Sequence, residues 1–440
     1  MLRPPVGCDA MIPPGIRSVL RNFSYLFASQ VLTTAIGACY SIFLARHLGP
    51  VLYGTLNYGY AWYLTFIAFT YLGLDMVLGR GVGREARAAP GLVGSTFVLR
   101  VLAAATVAGV SAVIAFAVEP KPEVRTLLYV LSVALLGRAI WLWCGSVFAA
   151  FEDTRHQFRI DLGFRPLEFA AGIMVLLVVA PQSILAVAVV HTAVWWLQAA
   201  VGLGTILKRV TLVEFVAVSG QARLLLMEGL PGALYTLAII WFLQAPTVLF
   251  RYLVGTGEAL GHFALAIQIV GYLVILPYLI GNVALPVLAR SAARADGKTR
   301  VAARATLIGV PAAGSLLGVL ALWLAPTMTV LIFGERYLET GRILAEAVWL
   351  LLPMGVAIGL QQIVFSHRCD PWITSLSSVL GIGTMAALYG PLTDGLSYHG
   401  ALLATGIGAA IWAAGPVIAL VRTGILSLRS AGAIATGARY

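Results

Sequence analysis

The chain has 440 residues, of which 60% are hydrophobic and 11% charged, and its formal net charge is +11. Soluble domains carry about 25% charged residues, so this composition excludes an ordinary soluble protein. Charge is absent from whole stretches: no Asp, Glu, Lys or Arg occurs between Glu258 and Arg290. The basic residues lie in short segments between apolar runs, which indicates membrane topology and argues against nucleic acid as a partner.

Twelve apolar runs predict an all-α, polytopic membrane protein of about 12 transmembrane helices. Each run has roughly 20 residues or more, the length that crosses ~30 Å of hydrocarbon with some tilt. The predicted loops are too short for a folded catalytic domain, so we expect no enzyme. The predicted helices cover residues 23–45, 56–78, 96–118, 126–150, 162–180, 183–206, 225–250, 262–288, 304–325, 343–366, 372–390 and 401–421.

Basic residues are distributed unevenly between the two sides of this predicted bundle. The side that holds the N-terminus receives twenty Lys and Arg residues, and the other side receives six. The remaining three, Arg100, Arg138 and Arg165, lie within predicted helices. The positive-inside rule therefore places both termini in the cytoplasm, and we expect the chain in the cytoplasmic membrane.

Two predicted turns, six helices apart, have similar sequences. Each carries an arginine at the end of a helix, Arg46 or Arg251, and a glycine near the start of the next helix, Gly54 or Gly261. An even offset gives both halves the same orientation, which is a parallel repeat; the alternative is that hairpins simply favour Gly, Pro and Arg. The predicted division is a cytoplasmic N-terminal arm at 1–22, an N-lobe at 23–206, a cytoplasmic linker at 207–224, a C-lobe at 225–421 and a cytoplasmic tail at 422–440.

Several short segments resemble polysaccharide (Wzx-type) flippases, in that family's order and spacing. They include Leu44 to Pro50, Leu72 to Asp75, Gly83 to Arg87, Leu260 to Phe263, Leu285 to Ala289, Leu331 to Tyr337 and Tyr398 to Ala404.

The resemblance implies the multidrug/oligosaccharidyl-lipid/polysaccharide exporter fold, with two six-helix lobes in a V around a cationic lumen. The implied substrate is an undecaprenyl-pyrophosphate-linked glycan, flipped from the inner to the outer leaflet. The expected partners are the lipid bilayer, the lipid-linked oligosaccharide, and a polysaccharide polymerase with glycosyltransferases. We expect no cofactor, no metal and no catalytic residue.

A flippase must carry a pyrophosphate and a sugar head group across a low-dielectric layer, so charges inside the membrane are candidates for function. Arg138 lies near mid-membrane and can bind a phosphate bidentately, or it can pair with an acid such as Glu168. Arg165 and Glu168 are spaced i, i+3 and can pair at the cavity mouth, or anchor the helix at the interface. Arg100 either faces the lumen or extends to the cytoplasmic interface.

Polar residues at helical spacing also predict a cavity wall. Gln30 and Thr34 begin a stripe on helix 1 that continues to Gly37 and Ser41, and Gln268 is placed similarly on helix 8. Such stripes line a lumen or pack tightly against another helix.

Coupling to an ion gradient requires a group that takes up and releases a cation. The candidates are Asp75, Glu228 and His191, the last of which can titrate near neutral pH or serve as a hydrogen-bonded structural residue. Glu346, four residues after Arg342, is predicted to form a surface pair with it.

Two other functions compete with a flippase. A cation-coupled multidrug exporter of the same superfamily needs central carboxylates to bind organic cations, whereas this sequence offers a central arginine. A membrane glycosyltransferase, polymerase or ligase needs a sizeable outer loop or paired catalytic acids, and the acids of the predicted outer loops form no tight pair.

Overall fold

The computed structural model describes residues 16–84, 89–210, 222–274, 298–366 and 370–426. Every regular element in these ranges is a helix, which confirms the prediction of an all-α chain. Ten helical segments in the described chain are long and apolar enough to cross a membrane. The first, Ser24–Thr70, has 47 residues and bends at Gly49, so its two arms match the first two predicted spans, and the shorter apolar helix Glu258–Val274 matches part of the eighth. Each of the twelve predicted spans therefore has a helix among the described residues, the eighth only in part.

The helices are numbered in chain order. They are α1 Ile16–Ile67, α2 Leu74–Arg84, α3 Ala89–Val118, α4 Pro122–Ala150, α5 Arg155–Met174, α6 Ile184–Thr205, α7 Ala222–Leu253, α8 Glu258–Val274, α9 Lys298–Phe333, α10 Leu338–Ala347, α11 Leu351–Ser366, α12 Pro371–Leu396 and α13 Tyr398–Arg422.

The first two predicted helices are divided differently in the structure. α1 continues through Pro50 and bends at Gly49, which has φ 71° and ψ 172°. Glycine adopts positive φ without steric cost, and proline is suited to the first turn of the second arm because it needs no partner for an N–H. The predicted helix 56–78 is interrupted at Leu72 and Gly73, both with positive φ, so its end forms the separate helix α2.

Other boundaries differ by several residues. α9 has 36 residues, Lys298–Phe333, and so extends beyond the predicted 304–325 at both ends. α1 begins at Ile16, inside the predicted arm 1–22. Residues 275–288 of the eighth predicted helix lie outside the described residues, as do most of the predicted linker and tail.

Two groups of helices each enclose an apolar core. In the first half, α4 packs against α1, α3 and α6 and buries Leu131, Trp143 and Phe148. In the second half, α11, α12 and α13 pack together around Tyr389 and Trp412.

The exterior of the bundle is apolar as well. Val113 on α3 is 68% exposed and Trp323 on α9 is 81% exposed. Large apolar side chains facing outward, on helices whose backbone bonds are satisfied internally, are what a lipid environment requires.

The two lobes meet through glycines on both sides of the membrane. We call the side that holds the Gly49 bend and the turns after α3, α5, α7, α9 and α12 the turn face, and the opposite side the terminal face. Near the turn face, a Cβ on Gly54 would lie 2.5 Å from the Cα of Gly261, so the two repeat-related glycines are in direct contact. Near the terminal face, a Cβ on Gly73 would lie 1.8 Å from the carbonyl oxygen of Gly229.

Candidate functional site

A cavity of about 530 Å³ lies between the two lobes and is bounded by α1, α4, α5, α6, α7 and α8. It reaches from Gln268 to Gln30, which lies 11 residues before Ser41 on α1, or ~16 Å nearer the terminal face. Its polar wall includes Gln30, Thr33, Thr34, Tyr40, Ser41, Tyr53, Asn57, Tyr60, Tyr63, Arg138, Gln157, Asp161, Arg165, Glu168, His191, Gln244, Thr247, Gln268 and Tyr272.

The predicted stripe on α1 faces this cavity. Gln30, Thr34, Gly37 and Ser41 all line it, because spacings of four, three and four residues keep side chains on one helix face. The Gln30 side-chain amide donates to the Thr34 hydroxyl at 3.4 Å, so this end of the stripe is held only loosely.

Gln268 lies in the wall but its amide is fully occupied. Its Nε2 donates to the Ser41 hydroxyl and the Tyr272 hydroxyl, each at 2.9 Å. Its Oε1 accepts from Asn57 Nδ2 at 2.9 Å and from the Tyr53 hydroxyl. An amide has two donor hydrogens and two acceptor lone pairs, so Gln268 joins α8 to α1 and has no free group for a ligand.

Arg138 enters the cavity from α4 and has no carboxylate partner among the residues that the structure describes. Its Nη1 donates to the Tyr63 hydroxyl at 2.6 Å, and its guanidinium carbon lies 4.7 Å from the centroid of the Trp195 ring. Its Nε is buried and has no hydrogen-bond partner among the described residues. The ion pair with Glu168 considered from the sequence is not formed; Glu168 pairs with other groups.

Arg165 and Glu168 make the i, i+3 contact expected from their spacing. Arg165 Nη1 donates to Glu168 Oε2 at 2.6 Å, and the Arg165 guanidinium carbon lies 4.0 Å from the centroid of the Trp195 ring. The other carboxylate oxygen, Oε1, is 2.5 Å from His191 Nδ1. Both cavity arginines therefore rest against the same aromatic ring.

A second carboxylate in the wall was missed from the sequence. Asp161 on α5 is 6% exposed and accepts from Ser29 Oγ at 2.5 Å and from Gln198 Nε2 at 2.7 Å. Gln198 in turn accepts from Arg165 Nη2 at 2.5 Å.

The residue spacing on α5 and α6 could have predicted that these polar residues share a helix face. On α5 the spacing from Asp161 to Arg165 and Glu168 is four and then three residues, which keeps all three on one face. The spacing from His191 to Trp195 and Gln198 on α6 is the same.

Three predicted site residues lie outside the cavity wall: Arg100, for which a position facing the lumen was one of two alternatives, and the coupling candidates Asp75 and Glu228. Arg100 is fully buried and donates to the carbonyl of Thr70 at 2.8 Å and to Asp75 Oδ1 at 2.7 Å. It therefore neither extends to the interface nor faces the cavity, and with Asp75 it fixes the break between α1 and α2. Glu228 is exposed on α7.

Polar contacts hold the two lobes together at the turn face. Arg251 at the end of α7 donates to both carboxylate oxygens of Glu119, at 2.9 and 2.7 Å, and both side chains are buried. Arg46 donates to the carbonyls of Ile332 and Leu331 at the end of α9, at 2.6 and 2.8 Å.

One expectation for this face is corrected. Glu346 contacts His399 Nδ1 at 2.6 Å, whereas Arg342 pairs with Glu339, so the predicted pair of Arg342 with Glu346 is wrong.

Solved transporter structures share this fold. A multidrug resistance MATE family transporter of the MOP superfamily, in an inward-facing conformation, aligns with a TM-score of 0.68 and 13% identity over 89% of this chain and 95% of that one. A MOP superfamily transporter from Pyrococcus furiosus is described as having a binding pocket of reverse polarity. It aligns with a TM-score of 0.67 and 13% identity over 93% of this chain and 95% of that one. The lipid II flippase MurJ, in an inward closed conformation, aligns with a TM-score of 0.63 and 14% identity over 90% of this chain and 87% of that one.

The fold is thus that of the MOP superfamily of membrane transporters, with a polar, arginine-bearing cavity between two lobes. Residues 19–292, more than half of the chain, match the family described as polysaccharide biosynthesis protein, and the chain belongs to this family. The resemblance noted from the motifs is confirmed. No curated protein sequence shows a significant match to this chain.

Proposed function

We propose that this protein flips a polyprenyl-pyrophosphate-linked oligosaccharide from the inner to the outer leaflet of the cytoplasmic membrane by alternating access. The turn face is then external, and both termini are cytoplasmic. A polysaccharide polymerase and glycosyltransferases act on the same lipid-linked glycan and are its expected partners. The family and the transporter fold support this assignment.

The observation that supports the proposal is the environment of the Arg138 side chain. This guanidinium lies in the cavity with a free Nε and no carboxylate within ion-pair distance among the described residues. A cation at membrane depth is costly unless an anion compensates it, and a guanidinium suits the paired oxygens of a phosphate. The pyrophosphate of a lipid-linked glycan has the charge and the geometry to bind this guanidinium.

Replacing Arg138 tests the assignment in cells that depend on this protein for a surface polysaccharide. We expect Arg138→Ala to reach the membrane at the wild-type level and to abolish surface polysaccharide, while lipid-linked oligosaccharide accumulates in the inner leaflet. Arg138→Lys keeps the charge but loses the planar fork, so we expect a partial defect. Arg342→Ala, at a 62% exposed side chain outside the cavity, is the control and retains surface polysaccharide. Normal surface polysaccharide in Arg138→Ala would disprove the proposal.

A multidrug exporter is the second candidate, and one observation favours it. Asp161 and Glu168 place two carboxylates in the cavity wall, and carboxylates bind organic cations. Both acids are already bound by protein groups, Asp161 by Ser29 and Gln198, and Glu168 by Arg165 and His191. Resistance to cationic drugs that rises with expression and is lost in Asp161→Asn would favour the exporter.

A further inference from the structure

Glu168 lies at the centre of a charged cluster in the cavity wall. One carboxylate oxygen accepts from Arg165 at 2.6 Å and the other lies 2.5 Å from His191 Nδ1. The side chains of Glu168 and His191 are each 9% exposed and that of Arg165 is 13% exposed. The Glu168 carboxylate therefore forms an ion pair with Arg165, one of the two arginines in the cavity, until another anion displaces it.

The protonation state of His191 follows from its neighbours. Trp195 Nε1 lies 2.9 Å from His191 Nε2, and an indole N–H can only donate. Nε2 is therefore the acceptor, and the neutral ring carries its proton on Nδ1, which donates to Glu168. The Tyr63 hydroxyl lies 2.9 Å from the same Nε2.

If the Glu168–His191 pair takes up a further proton, the hydrogen bonds around it determine which atom receives that proton. It cannot go onto His191 Nε2 without breaking the bond from Trp195, and the oxygen of Glu168 that faces His191 already accepts a hydrogen. The remaining position is the Glu168 oxygen that faces Arg165. A proton there places a hydrogen against the guanidinium N–H groups and removes the negative charge that holds Arg165.

The other charged and titratable groups around Glu168 come from four helices. They are Tyr40, Tyr60 and Tyr63 on α1, Arg138 on α4, Asp161 and Arg165 on α5, and His191 on α6. Among the described residues that line the cavity, α7 and α8 contribute no Asp, Glu, Lys, Arg or His.

We propose that the cavity binds its anion together with a proton: the anion displaces Glu168 from Arg165, and the Glu168–His191 pair takes up one proton in exchange. Released from Glu168, Arg165 joins Arg138 at the Trp195 ring, from which the two guanidinium carbons lie 4.0 and 4.7 Å. Two adjacent arginines match the two phosphates of a pyrophosphate. The inference rests on the proposed function, since the anion is the head group of that substrate.

Linkage makes the coupling reciprocal: if the anion raises proton affinity, protons raise anion affinity by the same factor. Purified full-length protein in lipid nanodiscs is titrated with farnesyl pyrophosphate by calorimetry, in buffers of different ionisation enthalpy. We expect wild type to take up about one proton more per ligand than Glu168→Gln, because both proteins share any titration of the ligand itself. We also expect Glu168→Gln to bind about tenfold more tightly than wild type at pH 8, since glutamine leaves Arg165 free.

The matched control is Glu346→Gln, which removes the carboxylate of a second Glu–His pair, 2.6 Å from His399 and outside the cavity. It keeps the wild-type proton uptake. Infrared difference spectra of wild type provide a test that needs no variant, because ligand binding must produce a new protonated carboxyl band.

The possible outcomes distinguish a failure of the proton coupling from a failure of the proposed function. Binding with equal proton uptake in wild type and Glu168→Gln, or without a new carboxyl band in wild type, overturns the coupling alone. No binding of farnesyl pyrophosphate to wild type at any pH overturns the proposed function, and the coupling with it.

Discussion

Trp195 is the side chain on which both cavity arginines rest. Its ring contacts the Arg138 and Arg165 guanidinium groups, and its indole N–H fixes the tautomer of His191. A cation over an aromatic face is stabilised by ~0.5–2 kcal/mol, with the larger values where water is excluded. The indole therefore supports both guanidinium groups, of which Arg165 is also paired with the Glu168 carboxylate.

Removing this ring should weaken anion binding. We expect Trp195→Leu to lower the affinity for farnesyl pyrophosphate about 5- to 30-fold, which corresponds to ~1–2 kcal/mol of lost cation–π stabilisation. Calorimetric titration in nanodiscs measures the change. The control is Trp196→Leu, because the neighbouring indole is 39% exposed and donates to the carbonyl of Val133 away from the cavity. Equal affinities of Trp195→Leu and wild type would contradict the role given to the ring.

At the scale of helices, close contact between α1 and α8 depends on glycine. The two lobes approach until the Gly54 and Gly261 backbones touch, and no side chain lies between them. Small residues at a helix crossing allow the backbones to approach closely enough for dispersion to hold them.

A side chain at this crossing must push the helices apart. We expect Gly54→Val to lower the free energy of unfolding by ~1–3 kcal/mol, because a Cβ there lies 2.5 Å from a backbone atom that cannot rotate away. Thermal unfolding in detergent measures the loss. Gly79→Val is the matched control, since a Cβ at this exposed position of α2 meets nothing within 4 Å. A melting temperature for Gly54→Val equal to that of the control would refute the close packing.

The helices show what the sequence could predict. Contacts within one helix follow from periodicity: the pair of Arg165 with Glu168 and the stripe from Gln30 to Ser41 were both predictable, because 3.6 residues per turn fixes which side chains share a face. The sequence also identified the spans, since lipid requires long apolar runs.

Contacts between helices were not predictable in the same way. Arg100 and Arg251 each bind an acid, Asp75 and Glu119, that belongs to another helix or turn. The choice of partner depends on how each helix is rotated about its axis, and in lipid that rotation is set by packing against neighbours. Hydropathy does not report this rotation, so it could not show that Arg100 takes neither of its two predicted positions, the lumen or the interface.

At the scale of the whole molecule, the ion pair of Glu119 with Arg251 holds the two lobes closed at the turn face. Glu119 follows α3 in the first lobe, and Arg251 ends α7 in the second. Opening the cavity toward the turn face must separate this buried pair and expose both charges to water. In the proposed alternating-access cycle, the pair therefore contributes to the free-energy difference between the two orientations of the protein.

Breaking the pair should shift the population toward the conformer open at the turn face. We expect Glu119→Gln, combined with Ser41→Cys, to raise at least about tenfold the rate at which the thiol reacts with a membrane-impermeant maleimide added at the turn face, which is external in the proposed orientation. The increase corresponds to ~1.4 kcal/mol of relative stability. Glu123→Gln, an exposed acid at the start of α4, is the control for loss of charge.

Exchanging the two residues provides a stricter test. The double variant Glu119→Arg with Arg251→Glu restores the pair, and it should return labelling toward the wild-type rate. Labelling that is unchanged in Glu119→Gln, or that remains high in the exchanged pair, would show that the contact does not control opening.

In the proposed transport cycle, the contact of Gly54 with Gly261 has a consequence for how the two lobes separate and close again. Interdigitated side chains would lose rotamer entropy each time such an interface re-formed. Two glycine backbones have no side chains to order, so this contact can be close when the lobes meet and can still re-form quickly.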